Sequence, residues 1–315
     1  MPIIDAYGHV ALPRLMSAEL YLQVMDENDV TSALISTAET CPDTGEIARG
    51  AASAPQRLRG VGLPMGQTAA ERIENIKAQM DAGFAGIRIG ETLIADQPEL
   101  LQTIGERGGV PFIIGREGLV RIADHLLDFL AHYPTATVAG VHFAGPMDPA
   151  VFARERAMMR LFDHDRFVVI CSRHSAMDQD LLHKWAGELV QRVGWSRLLF
   201  GSEYPVAQWR NESYRQTLEW MDRYKPTEQE RHAYRHDNAH RMLWDRPVKP
   251  ARPLDPQHIR MELRTEAEVW LFPDCTLDLP ESVHQKLLQR YLAIPPAQRP
   301  AYARFVANLI EEHVS

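Results

Sequence analysis

The sequence predicts an α/β protein, a (β/α)8 TIM barrel with a C-terminal helical extension. Eight short apolar runs alternate with longer amphipathic runs from residue 3 to about residue 245. Strands of a parallel sheet are covered on both faces and are apolar throughout, whereas the covering helices show one apolar stripe. The sequence has no GxGxxG or GxxxxGK[ST] phosphate loop. We therefore prefer the closed barrel to an open doubly wound sheet.

The apolar runs predict eight strands in chain order. They are Ile3–Tyr7, Ser32–Thr37, Leu58–Leu63, Ala85–Ile89, Val110–Ile114, Thr137–Val141, Phe167–Cys171 and Leu198–Phe200. Helical periodicity predicts helices between and after them, at Ala18–Asn28, Ala69–Asp81, Pro98–Glu106, Leu119–Tyr133, Pro149–Phe162, Gln179–Val193 and Glu212–Arg223. Gly83, Gly108 and Gly194 follow three of these runs, where a helix C-cap favours a residue that tolerates positive φ.

The last part of the chain has a different pattern. A helix is expected over Glu230–Trp244, and the proline-rich stretch 246–253 cannot continue it. We therefore predict a barrel at residues 1–249 and a helical extension at 250–315, with amphipathic helices at Ser282–Leu292 and Pro300–His313. The apolar triplet at 270–272 would suit a homodimer contact formed by the extension.

Composition restricts the classes of partner. The chain has 34 Lys and Arg against 42 Asp and Glu, a net charge of −8, which argues against binding to nucleic acid or to an anionic membrane. No apolar run has the length of a membrane span, and no secretory signal opens the chain. We expect a cytoplasmic protein. The three cysteines lie far apart and predict neither a disulfide framework nor a CxxC metal site.

Polar residues follow the predicted strands, where the reactive groups of a barrel lie. Alternation along the first strand places Asp5, Tyr7 and His9 on one face. The other candidates after successive strands are Arg88, Arg116, His142, Arg173 and Glu203.

Five motifs in order resemble the amidohydrolase superfamily over residues 2–245. They are IIDAYGH, GIRI, VHFAGP, FGSEYP and HDNAHRML. The most similar branch contains aminocarboxymuconate-semialdehyde decarboxylase, γ-resorcylate decarboxylase and the pyrone-dicarboxylate lactonases. That family usually has Asp-x-His-x-His after strand one, a His after strands five and six, and an Asp after strand eight.

This chain departs from the family pattern at three positions. Tyr7, Gly115 and Glu203 replace two histidines and the aspartate, whereas His9 and His142 match. If a divalent ion such as zinc or manganese is bound, the resemblance makes His9, His142 and Glu203 its ligands, the minimum for catalytic zinc. Because of the substitutions we expect no metal cofactor.

The resemblance implies a hydrolase of a small carboxylated lactone, ester or amide. Glu203 would act as general base on water, and His9 and His142 would stabilise the oxyanion. Arg88, Arg116 and Arg173 would bind substrate carboxylates, with Tyr7 as an orienting donor; these seven residues are the predicted site. Two alternatives stay open: a metal-dependent non-oxidative decarboxylase, and an inactive barrel that binds a ligand or partner.

Overall fold

Eight parallel strands form a barrel in the computed structural model. The structure describes residues 2–11, 15–38, 42–115, 118–207, 212–254, 289–290, 293–295 and 298. Each strand pairs in parallel with the next, in the order β1 to β8. The strands are β1 (Ile3–His9), β2 (Val30–Ser36), β3 (Leu58–Gly62), β4 (Gly86–Gly90), β5 (Val110–Ile114), β6 (Val138–Val141), β7 (Phe167–Cys171) and β8 (Leu198–Phe200). The predicted fold class is confirmed.

Helices connect the strands and cover the outside of the barrel. They are α1 (Ala18–Glu27), α2 (Thr44–Ser53), α3 (Ala69–Asp81), α4 (Glu91–Asp96), α5 (Glu99–Glu106), α6 (Ala123–His132), α7 (Pro149–Phe152), α8 (Arg156–Asp163), α9 (Gln179–Arg192), α10 (Tyr214–Glu219) and α11 (Glu228–His232). Gly83, Gly108 and Gly194 all have positive φ, as the C-cap prediction requires. The helix predicted over 149–162 is two helices, α7 and α8.

Helix α2 was not predicted. Its sequence, TGEIARGAAS, has one large apolar residue, Ile47, among small ones. The small residues allow close packing: a Cβ on Gly50 would lie 2.4 Å from the Cβ of Ala18 in α1. Asp43 caps the helix by accepting a hydrogen bond from the backbone N–H of Glu46.

Strand β1 contains a bulge that overturns one prediction. Asp5 pairs with Ala33 and Gly8 with Ile35, so β1 has one residue more than β2 between these pairs. A bulge shifts the alternation of faces. Tyr7 packs in the apolar cluster inside the barrel, whereas Asp5 contacts Tyr21 of α1 on the outside. The prediction that Asp5 shares a face with Tyr7 and His9 is therefore wrong.

The first and last strands close the barrel through hydrogen bonds just beyond β8. The backbone N–H of Glu203 donates to the carbonyl of Tyr7 at 2.8 Å, and that of His9 donates to the carbonyl of Tyr204 at 2.9 Å. The backbone N–H of Ser202 donates to Oδ1 of Asp5 at 2.9 Å. We call these contacts the seam. They fix the end of β1 beside the residues that follow β8.

The opposite end of the barrel is covered by the chain after α11. Two π-helical turns, Ala233–Asp237 and His240–Trp244, continue the helix. Ala239 and Leu243 pack in the interior cluster, and Arg59 stacks over the Trp244 ring. Most of the predicted extension at 250–315, including the triplet at 270–272, the helix predicted at 300–313 and all of the helix predicted at 282–292 except residues 289–290, lies outside the described residues. Within the described ranges, no helix is long and apolar enough to cross a bilayer.

Candidate active site

Glu203 lies at the centre of the polar residues that follow the strands. The structure places it directly beyond β8, 1% exposed, with its Oε1 2.8 Å from Nη1 of Arg173 beyond β7. The same oxygen lies 3.8 Å from Nε2 of His142 beyond β6. Three predicted residues from three consecutive strand ends therefore converge, and Arg173 is held on Glu203 in an ion pair.

The backbone at these three positions adopts a rare conformation. His142, Arg173 and Glu203 have φ values of 55°, 64° and 53°, in the left-handed region that costs non-glycine residues energy. Such strain persists only where the surroundings impose it, and it is frequent at functional sites. No feature of the sequence marks it.

The packing of one turn explains how His142 is held. The left-handed conformation continues through Phe143 and Ala144, and both side chains are fully buried. The carbonyl of Phe143 accepts a hydrogen bond of 2.8 Å from Nε1 of Trp185. Ala144 lies so close to β6 that a Cβ on Gly140 would come within 2.7 Å of its Cβ. These contacts fix the turn and therefore the direction of the imidazole.

A serine sets the orientation of the His142 ring. Nδ1 of His142 lies 2.9 Å from Oγ of Ser172, which comes directly after β7 and is fully buried. If the serine donates its proton to Nδ1, the ring carries its own proton on Nε2, on the side of Glu203. Sequence analysis missed Ser172, although its place directly after a strand is a signal that could have found it.

Tyr7 connects the other predicted residues. Its hydroxyl oxygen accepts a hydrogen bond of 2.7 Å from Nε of Arg88, in β4. Its ring contacts His9 and His142 edge to face, with centroids 4.8 Å and 5.3 Å away. Burial raises the pKa of Tyr7 above its ordinary value, against the opposing effect of Arg88, so the hydroxyl stays protonated at neutral pH.

His9 lies on the β2 side of Tyr7. It is 4% exposed, and its Nδ1 lies 3.2 Å from Oγ of Ser36 at the end of β2. The structure thus brings six of the seven predicted residues into one chain of contacts. The seventh, Arg116, lies outside the described residues.

The donors do not fit a metal ion as they are arranged. Within the described part of the chain, the one group of three His, Cys, Asp or Glu ligands with atoms all within 4.8 Å of one another lies elsewhere. The ring of Tyr7 contacts both His9 and His142, and Arg173 occupies an oxygen of Glu203. A guanidinium beside the carboxylate competes with a cation for the same oxygen.

An open polar cavity lies beside His174, the residue that follows Arg173 in the chain. It measures about 540 Å³ and is lined in part by His174, Glu212, Trp220 and Arg223. Nε2 of the buried His174 contacts Oε1 of Glu212, and its ring packs 5.1 Å from that of Trp220. Because His174 follows Arg173 in the chain, the cavity and the Glu203 cluster share one strand end. Neither His174 nor Glu212 is among the site residues predicted from the sequence.

The arrangement combines a buried carboxylate, two buried imidazoles and two guanidinium groups at one end of the barrel. The carboxylate can accept a proton, the imidazoles can donate hydrogen bonds to a polarised oxygen, and guanidinium groups bind carboxylates. These are the requirements of proton transfer to or from an anionic substrate.

Comparison with known proteins agrees with this architecture. The profile of the amidohydrolase family matches residues 3–243. No curated protein matches the chain. A probable 2-pyrone-4,6-dicarboxylic acid hydrolase from Acinetobacter baumannii, with citric acid bound, is 15% identical over 78% of this chain and 100% of its own, with a TM-score of 0.60.

Two further solved structures are similar. An amidohydrolase from Burkholderia multivorans with bound zinc is 17% identical over 78% of this chain and 100% of its own, with a TM-score of 0.61. A 2,6-dihydroxybenzoate decarboxylase in complex with 2,6-dihydroxybenzoate is 14% identical over 78% of this chain and 99% of its own, with a TM-score of 0.59. At these identities the likeness establishes the fold.

Proposed function

Because the chain belongs to the amidohydrolase family, we propose that it hydrolyses a small carboxylated lactone, ester or amide without a metal ion. The observation that carries this proposal is the position of Glu203, buried between Arg173 and His142 at the strand ends. A carboxylate so placed is a general base of the kind that hydrolysis by water requires.

Water activation follows from the distance between Glu203 and His142. Oε1 and Nε2 are 3.8 Å apart, too far for a direct hydrogen bond, so a water molecule can donate to Oε1 while Nε2 of His142 donates to the substrate carbonyl oxygen. Glu203 accepts a proton from this water as it attacks the substrate carbonyl, and returns the proton to the leaving oxygen or nitrogen when the C–O or C–N bond of the tetrahedral intermediate breaks. Arg173 keeps the carboxylate in place through its 2.8 Å contact.

The imidazoles stabilise the negative charge that develops on the carbonyl oxygen. If Ser172 donates to Nδ1, the proton of the His142 ring is on Nε2, which can then donate to the carbonyl oxygen; His9 lies on the other side of the Tyr7 ring. Fixed donors of this kind stabilise the transition state more than the ground state.

The substrate class follows from the arginines. Arg88 lies in β4 and donates through Nε to the Tyr7 hydroxyl. A guanidinium group binds a carboxylate bidentately, and we assign this role to Arg88. We include Arg116 as a second carboxylate ligand on the sequence prediction alone. Arg173, predicted as a third, forms an ion pair with Glu203, and we assign it to positioning that side chain.

The test is hydrolysis of a panel of cyclic lactones with one or two carboxylates, starting with 2-pyrone-4,6-dicarboxylate, in the presence of a chelator. We expect turnover with incorporation of oxygen from labelled water. Glu203→Gln, which keeps the size of the side chain, should lower kcat by roughly 10²–10⁴-fold. Glu106→Gln, the same change on the exposed end of α5, should leave the rate unchanged.

Product analysis decides between the alternatives. Loss of carbon dioxide from an aromatic carboxylate, dependent on added metal, would replace the hydrolase with a decarboxylase. Binding of the panel without any turnover would indicate a barrel that retains a ligand site and no catalysis. Full activity of Glu203→Gln would refute the role of Glu203 as the base.

A further inference from the structure

A row of histidines lies on the helix that covers the other end of the barrel. His232, His236 and His240 follow one another at intervals of four residues, and the rings of neighbours lie 5.5 Å and 5.4 Å apart. Residues four apart lie on one face of a helix. The row therefore forms a continuous imidazole surface, and Asp237 lies beside it.

The π-helical turn brings the carboxylate into this row. In a π-helix the backbone hydrogen bonds join residues five apart, so His232 and Asp237 lie one above the other. Oδ2 of Asp237 is 2.8 Å from Nδ1 of His232, and Oδ1 is 2.8 Å from Nδ1 of His236. The carboxylate thus contacts both imidazoles through different oxygens. One ligand atom from each of the three residues can be chosen so that all lie within 4.8 Å of one another.

We propose that His232, His236 and Asp237 form a binding site for a divalent transition-metal ion such as zinc. Two imidazole nitrogens and a carboxylate oxygen are a ligand set that suits zinc, nickel or copper and not the harder magnesium or calcium. Ligands of tetrahedral zinc lie about 3.4 Å from one another, given bonds of about 2.0–2.1 Å. The carboxylate oxygens lie 2.8 Å from the two Nδ1 atoms, and an ion that replaces the protons shared in these contacts requires them to open by roughly 0.6 Å.

The site is separate from the Glu203 cluster. Asn238, next to Asp237, donates through Nδ2 to the carbonyls of Trp195 and Leu198, at the start of β8. Glu203 lies beyond the other end of that strand. The metal site therefore does not depend on the proposed hydrolase function, and either can fail without the other.

A bound ion would join α11 to the π-helical turn that follows it. His232 is the last residue of α11, and Asp237 is the last residue of the turn. The inner face of the same helix contributes Ala239 to the barrel interior. Because the ion binds the folded arrangement of these residues, it raises the stability of the protein in proportion to the logarithm of its concentration.

The experiment is a calorimetric titration of the chelator-stripped full chain with zinc chloride, together with elemental analysis after dialysis. We expect one zinc ion per chain at this site and a higher melting temperature with zinc. His236→Gln and Asp237→Asn should each weaken binding at least tenfold. His132→Gln, the same change on the exposed end of α6, is the matched control and should bind as the parent does.

A second control separates this site from the strand ends. His9→Gln should retain the ion, and its loss there would assign the metal to the Glu203 cluster and overturn the proposal. Binding that is unchanged in His236→Gln, or no uptake by the parent chain, would also overturn it. Circular dichroism of each variant confirms that loss of binding is not loss of fold.

Discussion

Asp5 offers the sharpest test of how the barrel is held closed. This fully buried carboxylate accepts five hydrogen bonds. Oδ1 accepts from the backbone N–H of Tyr7 and of Ser202, at 3.0 Å and 2.9 Å. Oδ2 accepts from the hydroxyls of Tyr21, Ser202 and Tyr214. Burial and the neighbouring charge of Asp5 raise the pKa of both tyrosines well above its usual range, so both remain donors.

The variant Asp5→Asn replaces one oxygen with an NH2 group. The two backbone N–H groups at Oδ1 can only donate, so the amide oxygen of Asn must stay there and its NH2 group must take the place of Oδ2. The NH2 group then faces the three hydroxyls that donate to Oδ2 in the parent protein. A hydrogen bond to a charged group contributes about 1.5–3 kcal/mol and a neutral one about 1 kcal/mol. The variant weakens all five hydrogen bonds at this position and places an NH2 donor against three hydroxyl donors. We therefore expect the free energy of unfolding to fall by about 3–5 kcal/mol.

The assay is urea unfolding followed by fluorescence, with the slope m compared between proteins. We expect a lower midpoint with an unchanged slope, which is the signature of lost stability. Asp148→Asn is the matched control because Asp148 is the N-cap of α7, and Asn caps a helix as well as Asp does. A loss below about 1 kcal/mol for Asp5→Asn would refute the claim that this carboxylate holds the seam.

Three further predictions follow from contacts elsewhere. Arg88→Met should raise the KM for a carboxylated substrate at least tenfold, the loss of about 1.4 kcal/mol, and an equal rise for an uncharged ester would contradict carboxylate binding. Asn238→Ala should destabilise the protein by about 2–3 kcal/mol in the same urea assay, because two backbone carbonyls lose their donor, and a change below about 0.5 kcal/mol would contradict this. Cys171 is 3% exposed, and burial raises the pKa of its thiol. Iodoacetamide should therefore not label Cys171 in the native protein, as checked by mass spectrometry of the peptides. Rapid labelling of the native protein at Cys171 would refute its burial.

The barrel could be predicted because its strands are buried on both faces. The predicted runs Val110–Ile114, Phe167–Cys171 and Leu198–Phe200 coincide with β5, β7 and β8. In a strand that is buried on both faces, the first and last residues of the apolar run mark the ends of the strand. Helix α2 lacks such a signal because its packing relies on the absence of side chains. The small residues let it approach α1, and Ile47 is the one large apolar residue by which the sequence could have indicated the helix.

The sequence predicts which residues form the candidate site but not which of them contact one another. The rule that reactive groups follow barrel strands selects His142, Arg173 and Glu203, which the structure brings together. The rule does not show that Arg173 would be held on Glu203, because that contact depends on side-chain conformation and left-handed backbone. The outward direction of the Asp5 side chain was likewise not predictable, because nothing in the sequence IIDAYGH indicates the extra residue of the bulge.

The seam also determines the stage of synthesis at which the candidate site can form. Asp5 and its partner Ser202 are separated by 197 positions, so a ribosome completes almost the whole barrel before the two can meet. Contacts of such long sequence separation form late, after local structure is in place. A nascent or truncated chain that ends before β8 has Arg88, Arg173 and His142 but neither Glu203 nor the strand that closes the ring. Activity in this protein would therefore report that synthesis has reached β8 and that the ring has closed.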